Sequence, residues 1–267
     1  MIPRRRVLAG LAASALPFQA RAEDMPADLT SGEILETATG EALTFTDLLD
    51  RLEQADTILI GERHGFAPHQ DRVALILEEL ALRGRFPTLA LEMLEPAQMP
   101  ALDTYRKNNP EYVGGLGAAL NWSESGWPSW HFYEPIFRAA FRAKLDILAA
   151  DMPREEQRRI DRIGRTGFFP EQSLADYWKP IVRDTQCNDT AEVWIRNVTV
   201  RQVIRDMHMA DVISAARSAS IMVVGYRHMA PISTLVSAAV SLGLGTSEDA
   251  DPTFVWDLGA AEAPSAC

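Results

Sequence analysis

Two of the five histidines in this chain of 267 residues occur in the same short motif. The motif is Gly-x-Arg-His, and it is found at Gly61–His64 and again at Gly225–His228. Each copy follows a run of apolar residues that predicts a buried strand. Because the carboxyl ends of parallel strands open onto one crevice, we expect His64 and His228 to meet in space. A histidine after a glycine turn is also a common loop residue, and it is the repetition that favours a functional role.

Three carboxylates are expected in the same crevice. Glu62 belongs to the first motif, Glu92 ends the next predicted strand, and Asp151 follows the third. Carboxylates and imidazoles together suit a divalent transition metal or acid–base chemistry. Helix capping is the alternative role for Glu62 and Asp151. Glu92 stands inside an apolar run, where an unpaired carboxylate is costly, so it must have a partner.

Other candidate side chains lie on predicted helices. His69 follows Pro68 in a first helical turn, where the helix dipole keeps the ring neutral, as a ligand requires, although an ordinary helix-start histidine fits equally well. On the long helix of residues 189–217, the apolar stripe is taken as Val203, Met207, Ala210 and Ile213. A helical wheel on that stripe predicts that Asp206 points inward and that His208 faces solvent. Arg205 is predicted to be a surface residue or an outer partner of the site, not a buried clamp.

The elements that must position these residues indicate an α/β fold with a mostly parallel sheet. Short apolar runs alternate with helical patterns, as expected for buried parallel strands; the runs are Thr57–Gly61, Thr88–Met93, Leu145–Ala150, Ile221–Tyr226 and Phe254–Leu258. A helix after Pro68, ended by Gly84, connects the first strand to the second. The sheet is expected to carry helices on both faces within a single domain.

An irregular stretch between Asn108 and Glu134 lacks helical or strand periodicity and holds three tryptophans. Structureless stretches of this length are uncommon without a role, so we predict a long functional loop or lid. His131 lies among its aromatic residues. This histidine either anchors the loop or forms one wall of a pocket for a flat aromatic ligand.

The first 22 residues have the pattern of a secretory signal peptide. Three arginines precede an apolar run that is too short to span a bilayer, and Ala20–Ala22 offers an A-x-A cleavage site. We therefore expect residues 23–258 to form a periplasmic domain without a membrane span, followed by a tail at 259–267. The arginines leave the general and twin-arginine export routes both open.

Composition and missing motifs exclude several classes of protein. Hydrophobic residues make up 47% of the chain and charged residues 24%, which is ordinary for a globular protein. The formal charge of −11 makes nucleic acid an unsuitable partner. Phosphate loops, dinucleotide fingerprints, serine-hydrolase elbows and H-E-x-x-H pairs do not occur. The two cysteines, Cys187 and Cys267, allow a single disulfide in an oxidising compartment.

As an ordered set, the motifs resemble those of the ChaN-like haem-binding proteins of the Tiki superfamily over about residues 50–240. The residues that carry the resemblance are Gly61–His64, Pro68-His69, Leu91-Glu92-Met93, Gln98, Leu102-Asp103, Trp122, Trp130, Tyr133-Glu134-Pro135, Arg205-Asp206, Met209-Ala210, Gly225 and His228. Each motif is weak by itself, and their order along the chain gives the specificity.

The resemblance implies an exported α/β domain that binds haem through a tyrosine, with pairing of two subunits. Tyr133 and Tyr226 are the candidate iron ligands, because phenolate suits oxidised haem iron. Superfamily relatives such as Tiki-type proteases and erythromycin esterases instead use the two histidines and a glutamate for metal-dependent hydrolysis. That role would fall on His64, His228 and Glu92 or Glu62, with manganese, cobalt, zinc or iron as the metal.

The sequence departs from the family pattern around the second motif. Arg227 stands where the family has a small residue, and Met229-Ala230-Pro231 replaces Gly-Val-Pro. Arg227 either closes the crevice to a metal or binds a haem propionate. Glu23 follows the predicted cleavage site, where a lipoprotein would have cysteine. The first hypothesis is therefore an exported haem- or iron-binding protein of haem uptake or handling, and the alternative is a metal-dependent hydrolase.

Overall fold

The computed structural model describes residues 29–185, 191–245 and 251–258. Within these residues one eight-stranded sheet is flanked by helices, which confirms the predicted α/β class. The strands are β1 (Glu33–Glu36), β2 (Glu41–Leu43), β3 (Thr57–Glu62), β4 (Thr88–Leu91), β5 (Ile147–Ala149), β6 (Ser220–Gly225), β7 (Val240–Leu244) and β8 (Phe254–Asp257). Their order across the sheet is β2-β1-β8-β7-β3-β6-β4-β5.

Six neighbouring strands, from β8 to β5, pair in parallel, whereas β1 is antiparallel to both β2 and β8. The three central strands β3, β6 and β4 are buried on both faces, because their runs of Ile, Leu and Val are covered by helices on each side. All three end at the same edge of the sheet. This edge carries the candidate site.

The helices are α1 (Phe45–Glu53), α2 (Ala67–Leu82), α3 (Met99–Asn108), α4 (Leu116–Ala119), α5 (Trp130–Arg142), α6 (Arg154–Ile163), α7 (Gln172–Thr185), α8 (Glu192–Ser214) and α9 (Tyr226–Leu235). Pro68 lies in the first turn of α2, where its missing N–H has no helical partner to lose. As predicted, α2 connects β3 to β4.

The prediction of a long functional loop or lid between Asn108 and Glu134 is corrected by the structure. Two short helical segments, α4 and a 3₁₀ turn at Trp122–Glu124, interrupt this stretch, and α5 begins already at Trp130. Trp122 is buried, and its indole N–H donates to the carbonyl of Pro128 at 2.8 Å. The tryptophans therefore hold this stretch against the core. The exposed His131 packs its ring on Phe132 and contacts the Ser129 hydroxyl.

The face that α8 buries differs from the predicted one. Met207 is 40% exposed, whereas Met209 is buried beside Asp206. Asp206 points inward, as predicted. His208 does not face solvent freely: it is half-buried, and its Nε2 is enclosed with no hydrogen-bond partner in the structure described. The helical wheel predicted the wrong face because the buried face of α8 contains the charged residues Arg205 and Asp206.

Some expectations fall outside the described residues. These are the signal peptide at 1–22, both cysteines and the tail at 259–267. Within the three described segments, no helix combines the length and the apolar character needed to cross a membrane.

Candidate functional site

The carboxyl-terminal edge of the sheet brings the predicted crevice residues together. Glu62 on β3 is in register with Gly225 on β6, and Leu91 on β4 is in register with Val223 on β6. The residues that follow these positions therefore share one edge. Glu62, Glu92, Asp151 and His228 are all buried there, and the side chain of His64 is 30% exposed.

The two glycines of the repeated motif lie where neighbouring side chains approach the backbone closely. A Cβ atom on Gly225 would lie 2.6 Å from Nε2 of His64. A Cβ atom on Gly61 would overlap the side chain of Met229, which follows His228 on α9. Glycine is therefore required in both copies for close packing of β3, β6 and α9.

His64 forms an acid–imidazole pair with Glu62. Its Nδ1 lies 2.5 Å from Oε1 of Glu62, and Gln70 donates to the other carboxylate oxygen. Its Nε2 lies 3.7 Å from Oε2 of Glu92. Burial opposes a charge on His64, but the carboxylates of Glu62 and Glu92 outweigh it and raise the pKa of the ring. Burial raises the pKa of Glu62 as well, so a proton is held between these two groups.

Arg205 lies buried at the centre of the crevice, which corrects the prediction of a surface residue or outer partner in place of a buried clamp. Its Nη2 donates to Glu92 at 2.7 Å, and its Nε donates to Asp151 at 2.8 Å. The guanidinium is buried, yet these two carboxylates raise its pKa against the effect of burial. Glu92 also resists the effect of burial, since His228, Arg205 and His64 lower its pKa to about 2. Arg205 is thus the internal counter-ion of the site, and Glu92 has the partner that its position demands.

The second histidine is held from both sides. Nδ1 of His228 lies 2.5 Å from Oδ1 of Asp206, and Nη1 of Arg205 lies 3.2 Å from its Nε2. Because a guanidinium can only donate, the contact with Arg205 is a hydrogen bond in the tautomer of His228 that carries its proton on Nδ1, toward Asp206. Trp178 donates to Oδ2 of Asp206 at 2.5 Å, and burial raises the pKa of this carboxyl. Trp178 was missed in the sequence because nothing in α7 marks it as facing the crevice.

Asp151 does not cap α6, whose N-cap is Pro153 with no side-chain hydrogen bond, but it accepts hydrogen bonds from both the α6 side and the crevice. Oδ1 accepts from the backbone N–H of Met152 at 2.9 Å, as a turn carboxylate does, and it also accepts from Arg205. Oδ2 accepts from Gln157 of α6 at 3.0 Å. The carboxylate therefore joins the start of α6 to the crevice.

The geometry does not support a metal centre in this crevice. Among the described residues, no group of three or more His, Cys, Asp or Glu side chains has an arrangement that could hold a metal ion. The physical reason is that Arg205 takes oxygens of Glu92 and Asp151 and the Nε2 lone pair of His228. The convergence predicted for His64, His228, Glu62 and Glu92 is present, but an arginine occupies the central position.

The two candidate tyrosines differ in accessibility. Tyr133 lies in the core with no exposed surface, and burial, reinforced by Glu62 and Glu92, raises the pKa of its phenol. Tyr226, at the start of α9, is half-buried and donates to the carbonyl of Gly245 at 3.1 Å. A Cβ on Gly243 would lie 2.7 Å from the Tyr226 oxygen, so this glycine makes room for the phenol. Only Tyr226 of this pair reaches the surface.

His69 and Arg227 lie on either side of the same sheet edge, on α2 and α9. Nδ1 of His69 accepts from the backbone N–H of Arg63 at 2.9 Å. Burial, with Arg63 and Arg72 nearby, lowers the pKa of His69 to about 4. The ring is neutral, as predicted, but its Nδ1 lone pair is used and its Nε2–H presents a donor, which a metal ligand would not. The side chain of Arg227 is exposed.

Comparisons with known proteins match this architecture. A family model described as haem-binding uptake, Tiki superfamily, ChaN matches residues 48–233. A solved structure of cofacial haem binding to ChaN of Campylobacter jejuni is 24% identical, with a TM-score of 0.72, and the match covers 84% of this chain and 95% of that chain. At this identity the match shows a shared fold.

A second solved structure, of the type III effector HopBA1, is 14% identical with a TM-score of 0.44, covering 79% of this chain and 91% of its own, and carries no inference. No curated protein sequence matches the chain. The matched range covers well over half of the chain, and this range of the present sequence includes both Gly-x-Arg-His motifs and every crevice residue described above. The chain belongs to the ChaN family of haem-binding uptake proteins in the Tiki superfamily.

Proposed function

We propose that this protein binds haem and acts in haem or iron uptake. The observation that carries the proposal is the match to the haem-binding family over residues 48–233. At the crevice, Arg205 binds carboxylate oxygens that a metal-dependent hydrolase would need as ligands, and the described residues contain no group of His, Cys, Asp or Glu arranged to hold a metal ion. The hydrolase alternative has no support in this geometry.

The residues at the sheet edge fit a haem group. Tyr226 offers a phenol at a half-buried position, and a phenolate is a hard anionic ligand for ferric iron. The exposed guanidinium of Arg227 suits a propionate, and the Nε2–H of His69 adds a donor nearby. We therefore propose Tyr226 as the iron ligand in preference to Tyr133, which lies wholly in the core.

A haemin titration with two matched variants tests this proposal. Wild-type protein is expected to give a shifted Soret band at micromolar haemin with the high-spin spectrum of tyrosine ligation. Tyr226→Phe should lose that spectrum, whereas Tyr133→Phe, which removes the other candidate hydroxyl, should retain it. Absence of a Soret shift in the wild type would refute haem binding. If only Tyr133→Phe loses the spectrum, the iron ligand is Tyr133 and the assignment to Tyr226 is wrong.

We also infer export to the periplasm, on the strength of the signal-peptide pattern at residues 1–22. Cell fractionation should place the protein in the periplasm, and its amino-terminal sequence should begin at Glu23. Cytoplasmic protein that keeps its first residues would refute export. Pairing of two subunits is a further prediction, for which sedimentation in the presence and absence of haemin is the direct measurement.

A further inference from the structure

A groove separate from the crevice lies among α6, α7 and α8. Its volume is about 790 Å³, and it is lined by the α6–α7 connection, one face of α7 and the first turns of α8. Three apolar side chains at the groove are unusually open to solvent: Ile163 is 71% exposed, Phe169 is 89% exposed and Val193 is 55% exposed. Large apolar side chains grouped in this way are typical of a binding surface.

The groove and the crevice use different faces of α7. The groove side of this helix carries Gln172, Ala175, Asp176 and Lys179, at the spacing of one helical face. Trp178, on another face, is buried against His228 with their ring centroids 4.8 Å apart. A ligand in the groove therefore lies across α7 from the arginine network and does not enter it.

The free charge in the groove is positive. Lys179 on α7 and Arg196 on α8 are exposed and form no ion pair with the residues that the structure describes. Of the two carboxylates of the lining, Glu192 is paired with Arg183 at 2.5 Å, and Asp176 accepts from the neutral amide of Gln172 at 2.7 Å, so the two cations outnumber the one unpaired carboxylate. Two uncompensated cations on adjacent helices match two carboxylates on a ligand.

The lining also contains a buried polar group without a partner. Oγ1 of Thr199 is enclosed and has no hydrogen bond in the part of the chain described, although the residue is only 5% exposed. A buried hydroxyl left unsatisfied costs free energy. A polar atom of a ligand in the groove would relieve that cost.

We propose that this groove binds a porphyrin through its apolar ring and its two carboxylates. The volume lies within the range of about 300–1,000 Å³ that is usual for small-molecule sites. Phe169, Ile163 and Val193 contact the ring, and Lys179 and Arg196 bind the carboxylates. This inference rests on the proposed function in one respect, which is that the protein binds haem, an iron porphyrin.

Recognition in this groove does not depend on iron. None of its described lining residues is a histidine, tyrosine, cysteine or methionine, the side chains that ordinarily ligate haem iron. Metal-free protoporphyrin IX should therefore bind in the groove as tightly as haemin does there. This separates the groove from the Tyr226 edge, where iron ligation is proposed.

Fluorescence titration with protoporphyrin IX tests the inference on the full-length protein and on Lys179→Ala/Arg196→Ala. Exposed ion pairs are individually weak, so loss of both cations should weaken binding about tenfold, which corresponds to about 1.4 kcal/mol. Phe169→Ser should also weaken binding. Arg217→Ala, an exposed arginine away from the groove, is the matched control and should bind as the wild type does.

The outcomes separate this inference from the haem proposal. Protoporphyrin binding that Lys179→Ala/Arg196→Ala weakens and Tyr226→Phe leaves unchanged supports the groove, even if haemin gives no tyrosine-ligated spectrum. Haemin binding with no affinity for the metal-free porphyrin overturns the groove and leaves the haem proposal intact. Unchanged porphyrin affinity in the double variant also overturns the groove as a porphyrin site. The same holds if the double variant dissociates a dimer of the protein while its porphyrin affinity stays the same.

Discussion

At the scale of single residues, Arg205 organises the crevice. It neutralises Glu92 and Asp151 and fixes the orientation of His228 through three donor groups. A buried guanidinium with several acceptors cannot be removed without leaving carboxylates uncompensated in a medium of low dielectric constant. The stability of the site thus depends on one cation.

Replacing Arg205 by Met is expected to lower the free energy of unfolding by about 3–5 kcal/mol, because Glu92 and Asp151 would remain as buried, unpaired charges. Urea unfolding measures the change. Arg217→Met, at an exposed position, should change stability by less than about 0.5 kcal/mol. Adding Glu92→Gln and Asp151→Asn to Arg205→Met should recover part of the loss. If the triple variant is no more stable than Arg205→Met, the charge argument is wrong.

His69 makes stability depend on pH in a defined window. Its pKa is about 4 in the folded chain and near 6.5 when unfolded, so its contribution is present above pH 6.5 and disappears as pH falls toward 4. His69→Gln should reduce the loss of stability over that range by up to about 3 kcal/mol. Urea unfolding at a series of pH values is the measurement. His131→Gln, at an exposed histidine, is the control. An unchanged pH slope in His69→Gln would contradict the assignment.

At the scale of elements, the reciprocal glycines join β3, β6 and α9. Gly61 leaves room for Met229 of α9, and Gly225 leaves room for His64 after β3. Both glycines therefore allow close packing of these elements. A larger residue at either position would push neighbouring elements apart.

Gly61→Ala should destabilise the protein by about 1–3 kcal/mol, because the added methyl group collides with the buried side chain of Met229. Met229→Ala alone should cost about 2–5 kcal/mol through the cavity it leaves. Since each change relieves the other, the double variant should lose less than the two single losses together, a coupling that a double-mutant cycle in urea measures. Additive losses would show that the two residues do not compete for space.

The sequence predicted most of the elements that carry the site, but not all. Runs rich in branched apolar residues gave β3, β4, β5, β6 and β8 within a few residues. β7 was missed because its sequence, Val-Ser-Leu-Gly-Leu, has too few large side chains to stand out. The orientation of α8 was misjudged because Arg205 and Asp206 lie on its buried face, where hydrophobic patterning expects apolar residues.

The location of the site could be predicted from the sequence, but most of its hydrogen bonds and ion pairs could not. Strand topology alone brings Glu62, His64, Glu92 and His228 to one edge. The central position of Arg205 could not be predicted, because it depends on three acceptors from separate segments that only the folded chain assembles. The contact of Trp178 with Asp206 could not be predicted for the same reason.

At the scale of the whole molecule, bound haem should stabilise the folded chain. A ligand present at 100 times its dissociation constant adds about 2.7 kcal/mol if it binds only the native state. Thermal unfolding with and without haemin should therefore show a higher Tm in the wild type. Tyr226→Phe should show a smaller rise if that phenol is the iron ligand. An equal rise in both proteins would place the stabilising contacts elsewhere.

The arginine network has a consequence for synthesis on the ribosome. The acids of the crevice at positions 62, 92 and 151 leave the exit tunnel well before Arg205, and His228 follows later still. Nascent chains that stop short of α8 lack Arg205 and also β6, the strand that pairs with both β3 and β4, so the sheet edge that holds these acids cannot form. We expect nascent chains arrested before residue 205 to remain open to proteases, and those that include α9 to acquire resistance in a single step.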